Sequence, residues 1–173
     1  MIEVLVTIVI LTIGLLGLAG LQSRLQASEM EAYQRAQALI LLNDMASRLN
    51  TNRAKAATYV TATALGAGMT CPTATSNQQQ VDAGEWCDAL QGAGELSSGD
   101  SKVGAMLGGR GCIESLGVDA YRLTVAWQGL TPISAPSAAV ACGKDSYDTA
   151  GTACTSDRCR RVLTTIVRIA KLD

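Results

Sequence analysis

The sequence predicts an α+β fold: a long N-terminal helix packed on a small antiparallel sheet of about three or four strands, with the loops tied by disulfides. Three observations predict it. Residues 4–21, VLVTIVILTIGLLGLAGL, run 18 positions without a charge, and no proline interrupts residues 1–52. Residues 121–128 alternate Tyr, Leu, Val and Trp with Arg, Thr, Ala and Gln, the period of a half-buried strand. Six cysteines all lie beyond residue 70, as in a disulfide framework that supports a thin core.

The helix comes first. At about 1.5 Å per residue, an 18-residue apolar stretch just crosses a bilayer. Directly in front of it stands Glu3. An unpaired carboxylate at mid-bilayer costs roughly 2.5–3.5 kcal/mol, so Glu3 is expected either to find a cationic partner or to snorkel to the interface. Residues 22–52 continue the helical pattern, with Leu21, Leu25, Ser28, Ala32, Ala36, Leu39, Met45 and Leu49 as the expected inward stripe. Gly14, Gly17 and Gly20 recur every three residues. Each costs about 1 kcal/mol against Ala in a helix interior, so they mark either a soft segment or a close helix contact in lipid.

Charge bias alone would orient this span wrongly. Arg24 and Arg35 follow it, which by the positive-inside rule puts the larger part of the chain in the cytoplasm. The cysteines require the reverse, an oxidising compartment. A secretory signal peptide does not fit, because the helical pattern continues past residue 21 without a break.

After the helix, residues 50–52 mark its end or a bend, 53–64 carry little signal, and 66–80 read as loop. Asp82 with Glu85 three residues on resembles a capping box, opening a short helix near 82–91 that carries Trp86, Ala89 and Leu90. Residues 92–111 hold seven glycines and read as irregular chain. Strands are expected at 112–116, 121–128 and 161–170, with a long loop over 131–160 containing Pro132, Pro136 and three cysteines. The face Tyr121, Leu123, Val125 and Trp127 is expected to pack on the C-terminal half of the helix. The chain thus divides into 1–21, the membrane half of the helix; 22–54, its amphipathic half; 55–111, a connecting region; and 112–173, the sheet with its disulfide-tied loop.

Six cysteines admit many connectivities, and sequence does not choose among them. Loop closure favours Cys71 with Cys87, Cys112 with Cys142, and Cys154 with Cys159. The first and last pairs close short loops, and the middle pair ties the start of one strand to the segment after its neighbour. Each bridge contributes about 2–4 kcal/mol in a domain of this size. Metal binding fits poorly, since the chain has no His and no CxxC pair, and no metal or other cofactor is expected.

No enzyme is expected either. Histidine, the commonest acid–base residue, is missing, and no Ser sits in a GxSxG turn. Four residues separate Cys154 from Cys159, where a redox pair needs two. Asp82, Glu85, Glu95, Asp145 and Asp148 are scattered and read as solvated charges. Gly108, Gly109 and Gly111 lack the Lys-Ser/Thr of a phosphate loop. Arg158, Arg160 and Arg161 form the one basic cluster. It reads as a DNA-phosphate contact or as charge at the start of a strand, paired with Asp145, Asp148 or Asp157. The second is favoured, since no aromatic residues interleave with it and net charge is −1.

The stretch MIEVLVTIVILTIGLLGLAGLQ, with the later LLNDMASRLN and YRLTVAWQG, resembles the PilV-like minor pilins of type IV pili, within the type IV pilin and pseudopilin superfamily. The resemblance touches both ends of the chain and implies the type IV pilin fold. It also implies that Glu3 is the Glu found at the fifth position of mature pilins. A basic leader ending in Gly and an N-terminal, methylated Phe would then precede Met1 in a longer precursor processed by prepilin peptidase. Glu3 would pair with the N-terminal amine of a neighbouring subunit. The region of Gly14, Gly17 and Gly20 would extend on filament entry, with Gly20 standing where many pilins carry Pro.

The implied partners are the major pilin, other minor pilins, the inner-membrane assembly platform and a tip adhesin. The implied location is the inner membrane with a periplasmic C-terminal domain, then the surface pilus, with roles in assembly, adhesion and twitching motility. The alternatives are a type II secretion pseudopilin, or a membrane-tethered module that binds DNA or a surface.

Overall fold

The computed structural model describes residues 2–93 and 106–170, so most of the segment expected to be irregular over 92–111 lies outside the described residues. Helix α1 spans Ile2–Thr51 without interruption. The chain forms two compact units, one up to Tyr33 and one from Gln34 onward. The first unit is the leading part of α1. The second contains the rest of α1, a 3-10 turn at Arg53–Tyr59, β1 (Leu65–Gly66), α2 (Gln78–Leu90), β2 (Arg110–Gly117), β3 (Ala120–Gln128) and β4 (Arg160–Arg168). The fold is α+β, with the C-terminal part of α1 against a four-stranded antiparallel sheet in the order β1-β2-β3-β4.

β3 lies at the centre because both its faces are buried. Tyr121, Leu123, Val125 and Trp127 join Ala38, Leu42, Met45 and Leu49 of α1, and Trp86 and Leu90 of α2, in one core. The opposite face of the sheet carries Cys112 and Ala126, covered by Cys142 and Tyr147 of the long loop before β4. The backbone bonds Gln128 N to Leu107 O, 2.8 Å, and Gly129 N to Cys159 O, 2.7 Å, set the phase of the ladder. By alternation the odd residues of β3 bond to β4 and the even ones to β2.

The helix stripe differs from expectation. Gln34, Ala38, Leu42, Met45 and Leu49 are the buried positions of α1, while Leu21, Leu25, Ser28, Ala32, Ala36 and Leu39 are exposed within the chain. The cause is the run Leu39-Ile40-Leu41-Leu42, which is apolar on several sides, so periodicity alone could not choose a face.

Two elements also differ at α2 and β1. α2 begins at Gln78, and Asn77 is its N-cap, with the side-chain oxygen accepting from Gln80 N at 3.0 Å. Asp82 therefore sits in the second turn of α2 rather than capping it. β1 has only two residues and carried no alternation to betray it. The disulfides are Cys71–Cys87, Cys112–Cys142 and Cys154–Cys159, the pairs that loop closure favours, and no cysteine is free.

Gly111 on β2 is what allows α2 to lie on the sheet. A Cβ there would run into the Trp86 ring and Leu90 Cδ1. Gly111→Ala is therefore expected to destabilise the protein by about 1–3 kcal/mol through overpacking. Equilibrium unfolding of the full chain in detergent, followed by Trp fluorescence, measures this.

Candidate functional site

In the first unit, Glu3 lies in the opening turn of α1 and is exposed. The helix is long and apolar enough to cross a membrane, and none of its apolar window is buried by the rest of the chain. The two hydroxyls of residues 4–21 are satisfied locally: Thr7 Oγ1 donates to Val4 O and Thr12 Oγ1 to Val9 O, both at 2.8 Å. This removes the polar groups that lipid would penalise. Around Gly14, Gly17 and Gly20 nothing lies within 4 Å of an added Cβ, so no contact among the described residues accounts for them.

The second unit holds a polar cluster that joins α1, the 3-10 turn and α2. Arg48 sits one turn from the C-terminal end of α1, and its Nε donates to Asp44 at 2.9 Å. Its Nη1 donates to Asp82 Oδ1 at 2.9 Å and to Glu85 Oε2 at 2.6 Å. Asp82 is only 3% exposed. It also accepts from Tyr59 Oη at 2.5 Å and Gln78 Nε2 at 2.9 Å, and Asn52 Nδ2 donates to Tyr59 Oη at 3.0 Å. Trp86 Nε1 adds a bond to Leu41 O at 2.9 Å. The i, i+3 spacing of Asp82 and Glu85 places both carboxylates on one face of α2, aimed at a single guanidinium.

Burial opposes ionisation of Asp82, but the hydrogen bonds from Tyr59, Gln78 and Arg48 outweigh it and hold the carboxyl below its ordinary value. Burial and the bond to Asp82 push Tyr59 up to about 12. Burial works against the Arg48 charge, yet its three carboxylate partners raise its pKa overall. The cluster can carry load between helices. It offers no free nucleophile or base.

Comparison with family models, with curated proteins and with solved structures finds no match.

The expected basic cluster is not a single surface. Arg160 is 1% exposed. Its Nη1 donates to Val140 O at 2.7 Å and Cys142 O at 3.0 Å, and its Nη2 pairs with Asp157 at 3.1 Å. Asp157 in turn accepts from Asp145 N, and Asp148 accepts from Asp157 N, both at 2.8 Å. Arg161 is half-buried and donates to Thr131 O at 2.6 Å, and Arg158 is exposed. The favoured reading, charge at the start of a strand paired with an acidic loop, holds for Arg160, whose partner is Asp157 and which is an internal strut of the loop before β4. The less favoured DNA-phosphate contact cannot use Arg160, which is buried.

Among the described residues no group of carboxylates and cysteines could hold a metal ion. Sequence reasoning missed the Arg48 cluster. Its signal was present as Asp82-x-x-Glu85, and was assigned to a cap instead of to a face.

Removing a buried partner leaves charges and donors unpaired, so Asp82→Ala is expected to cost about 3–5 kcal/mol. Glu85 has 57% of its side chain exposed, and Glu85→Ala is expected to cost under about 1 kcal/mol. Chemical denaturation of the two variants side by side measures the contrast.

Stability should also depend on pH at both extremes. The Asp82 contribution is complete above the ordinary carboxyl value of 3.8 and is lost as pH falls through its lowered folded value. The Tyr59 contribution is complete below 10.0 and is lost as pH rises through about 12. Unfolding free energies measured across pH should show both limbs, and Asp82→Asn should flatten the acid one.

Proposed function

We propose that this chain is a membrane-anchored filament subunit, a minor pilin of the type IV pilus kind. The observation that carries the proposal is the leading part of α1. An 18-residue apolar window led by Glu3 has no cover from its own chain, yet it continues into a helix built into a disulfide-tied α+β head. A bare anchor needs the span but has no use for a carboxylate at its head or for three evenly spaced glycines. Subunits that pack side by side through their helices use both, the glycines for close backbone approach and the acid for a cationic partner.

In this role Glu3 meets the N-terminal amine of a neighbouring subunit, and both charges leave the apolar filament interior neutralised. The three disulfides support an oxidising location for the head, hence a periplasmic domain before assembly and a surface one after. The partners are the major pilin, other minor pilins, the assembly platform and a tip adhesin, with prepilin peptidase acting on a longer precursor. The work is assembly and surface interaction, with no catalytic step.

Glu3→Ala is expected to leave the protein in the inner membrane at its normal level while its share in sheared filaments falls at least about tenfold, the effect of losing about 1.4 kcal/mol of differential interaction. Immunoblots of membrane and filament fractions measure this, and unchanged incorporation would refute the role.

A further inference from the structure

We propose that the outer edge of β4 is a docking strand for an extended segment of another protein, one with a run of alternating β-branched residues and a carboxylate at each end. The inference stands on the head domain alone and does not rest on the filament reading.

Strand order places β4 at the edge of the sheet. The ladder phase directs Arg161, Leu163, Thr165 and Val167 to β3, so Val162, Thr164, Ile166 and Arg168 turn their N–H and C=O groups outward. Among the described residues no donor or acceptor meets them. The other side of the sheet is treated differently. Beyond β1, Thr61 N donates to Ile113 O at 2.9 Å and Ile113 N donates to Thr61 Oγ1 at 3.0 Å, which covers the outward groups of Ile113 in the middle of β2.

Sheet edges are normally blunted by proline, lysine, a bulge or shortness. Charged side chains blunt them too, and β4 carries its arginines only at its ends, Arg160, Arg161 and Arg168, while its six central residues, 162–167, hold no charge, proline, lysine or bulge. Its nine residues, RRVLTTIVR, contain neither proline nor lysine, and they pair with β3 without a register shift from Ala120↔Arg168 to Gln128↔Arg160. Ile166, 55% exposed, is β-branched and lies on the face away from α1. Alternating backbone donors and acceptors are matched by another polypeptide in extended form, so the ligand is a strand.

Charge selects its flanks. Arg168 ends β4 and Arg158 lies in the turn two residues before it, its carbonyl bonded by Ile133 N at 2.8 Å. Both side chains are exposed, and neither has an acidic partner among the described residues. A second copy of this chain is a poor occupant. Antiparallel pairing of two β4 strands would set the Arg160–Arg161 end of one against the Arg168 end of the other, and like charges across a ladder are destabilising.

The test uses the full chain in detergent micelles and a fluorescent synthetic peptide of the length of β4, Glu-Val-Thr-Val-Thr-Val-Thr-Val-Glu, read by anisotropy. Saturable binding is expected, weakened at least about tenfold when alternate amides of the peptide are N-methylated, because several ladder bonds are lost together. Ile166→Pro, which removes an outward N–H and spares the β3 ladder, should weaken it to the same degree. Reversing both end charges, Arg158→Glu with Arg168→Glu, should transfer preference to a Lys-flanked peptide. Should Ile166→Pro fail to fold, the N-methylated peptide on the unaltered chain still decides. Absence of saturable binding, equal binding of the N-methylated peptide, or indifference to flank charge would overturn the proposal. So would a dimer in sedimentation that Ile166→Pro dissolves, since the edge would then belong to a second copy.

Discussion

A carboxylate with 3% of its surface exposed must meet donors or give up its charge, and Asp82 meets three, from Arg48, Tyr59 and Gln78. This one requirement fixes much of the head. Arg48 belongs to α1, Tyr59 to the turn that follows it, and Asp82 to α2, so satisfying Asp82 sets the position of α2 beside the end of α1. Once α2 is there, Trp86 can reach Leu41 O and close over Gly111. The Cys71–Cys87 bridge then ties the loop before α2 to the helix itself. A polar group inside the core thus acts as a register device, selecting one docking of two helices where apolar contacts alone would tolerate several.

The far face of the sheet is closed by a second internal cation. Arg160 gathers the carbonyls of Val140 and Cys142 and the Asp157 carboxylate, and Cys112–Cys142 fastens the same loop to β2. Tyr147 donates to Gly108 O at 2.9 Å with Arg110 over its ring at 5.1 Å, which ties the loop to the start of β2. Both faces of a small sheet are consequently occupied, and among the described residues Val162, Thr164, Ile166 and Arg168 on the edge of β4 keep outward backbone groups without a partner. In the proposed filament role, the helix then supplies the assembly contacts and the head presents a strand to a partner.

What the sequence made legible follows from how local each signal is. α1 could be read because its cause is local: no proline, an uncharged run, and helix formers up to Thr51. β3 was legible from strict alternation, and Cys71–Cys87 and Cys154–Cys159 from short loops, since residues close in sequence close loops cheaply. Cys112–Cys142, 30 residues apart, rested instead on placing Cys112 at the start of a strand. The buried face of α1 was not legible, because Leu39 to Leu42 offer apolar surface in several directions and the sheet decides which is used. The start of α2 was hidden in the polar run Asn77-Gln78-Gln79-Gln80, where only the cap geometry reveals a helix. Arg160 looked like surface charge because its partners are carbonyls of a loop folded back from positions up to 20 residues away. Such bonds leave no pattern in composition or spacing.

The central claim is that the apolar end of α1 is made to pack against other subunits. Quantitative mass spectrometry of filaments sheared from cells, set against the membrane fraction, tests it most directly. The account predicts peptides of this chain in the filaments at a small fraction of the major subunit. Peptides confined to the membrane fraction would contradict it, and would reduce the helix to an anchor.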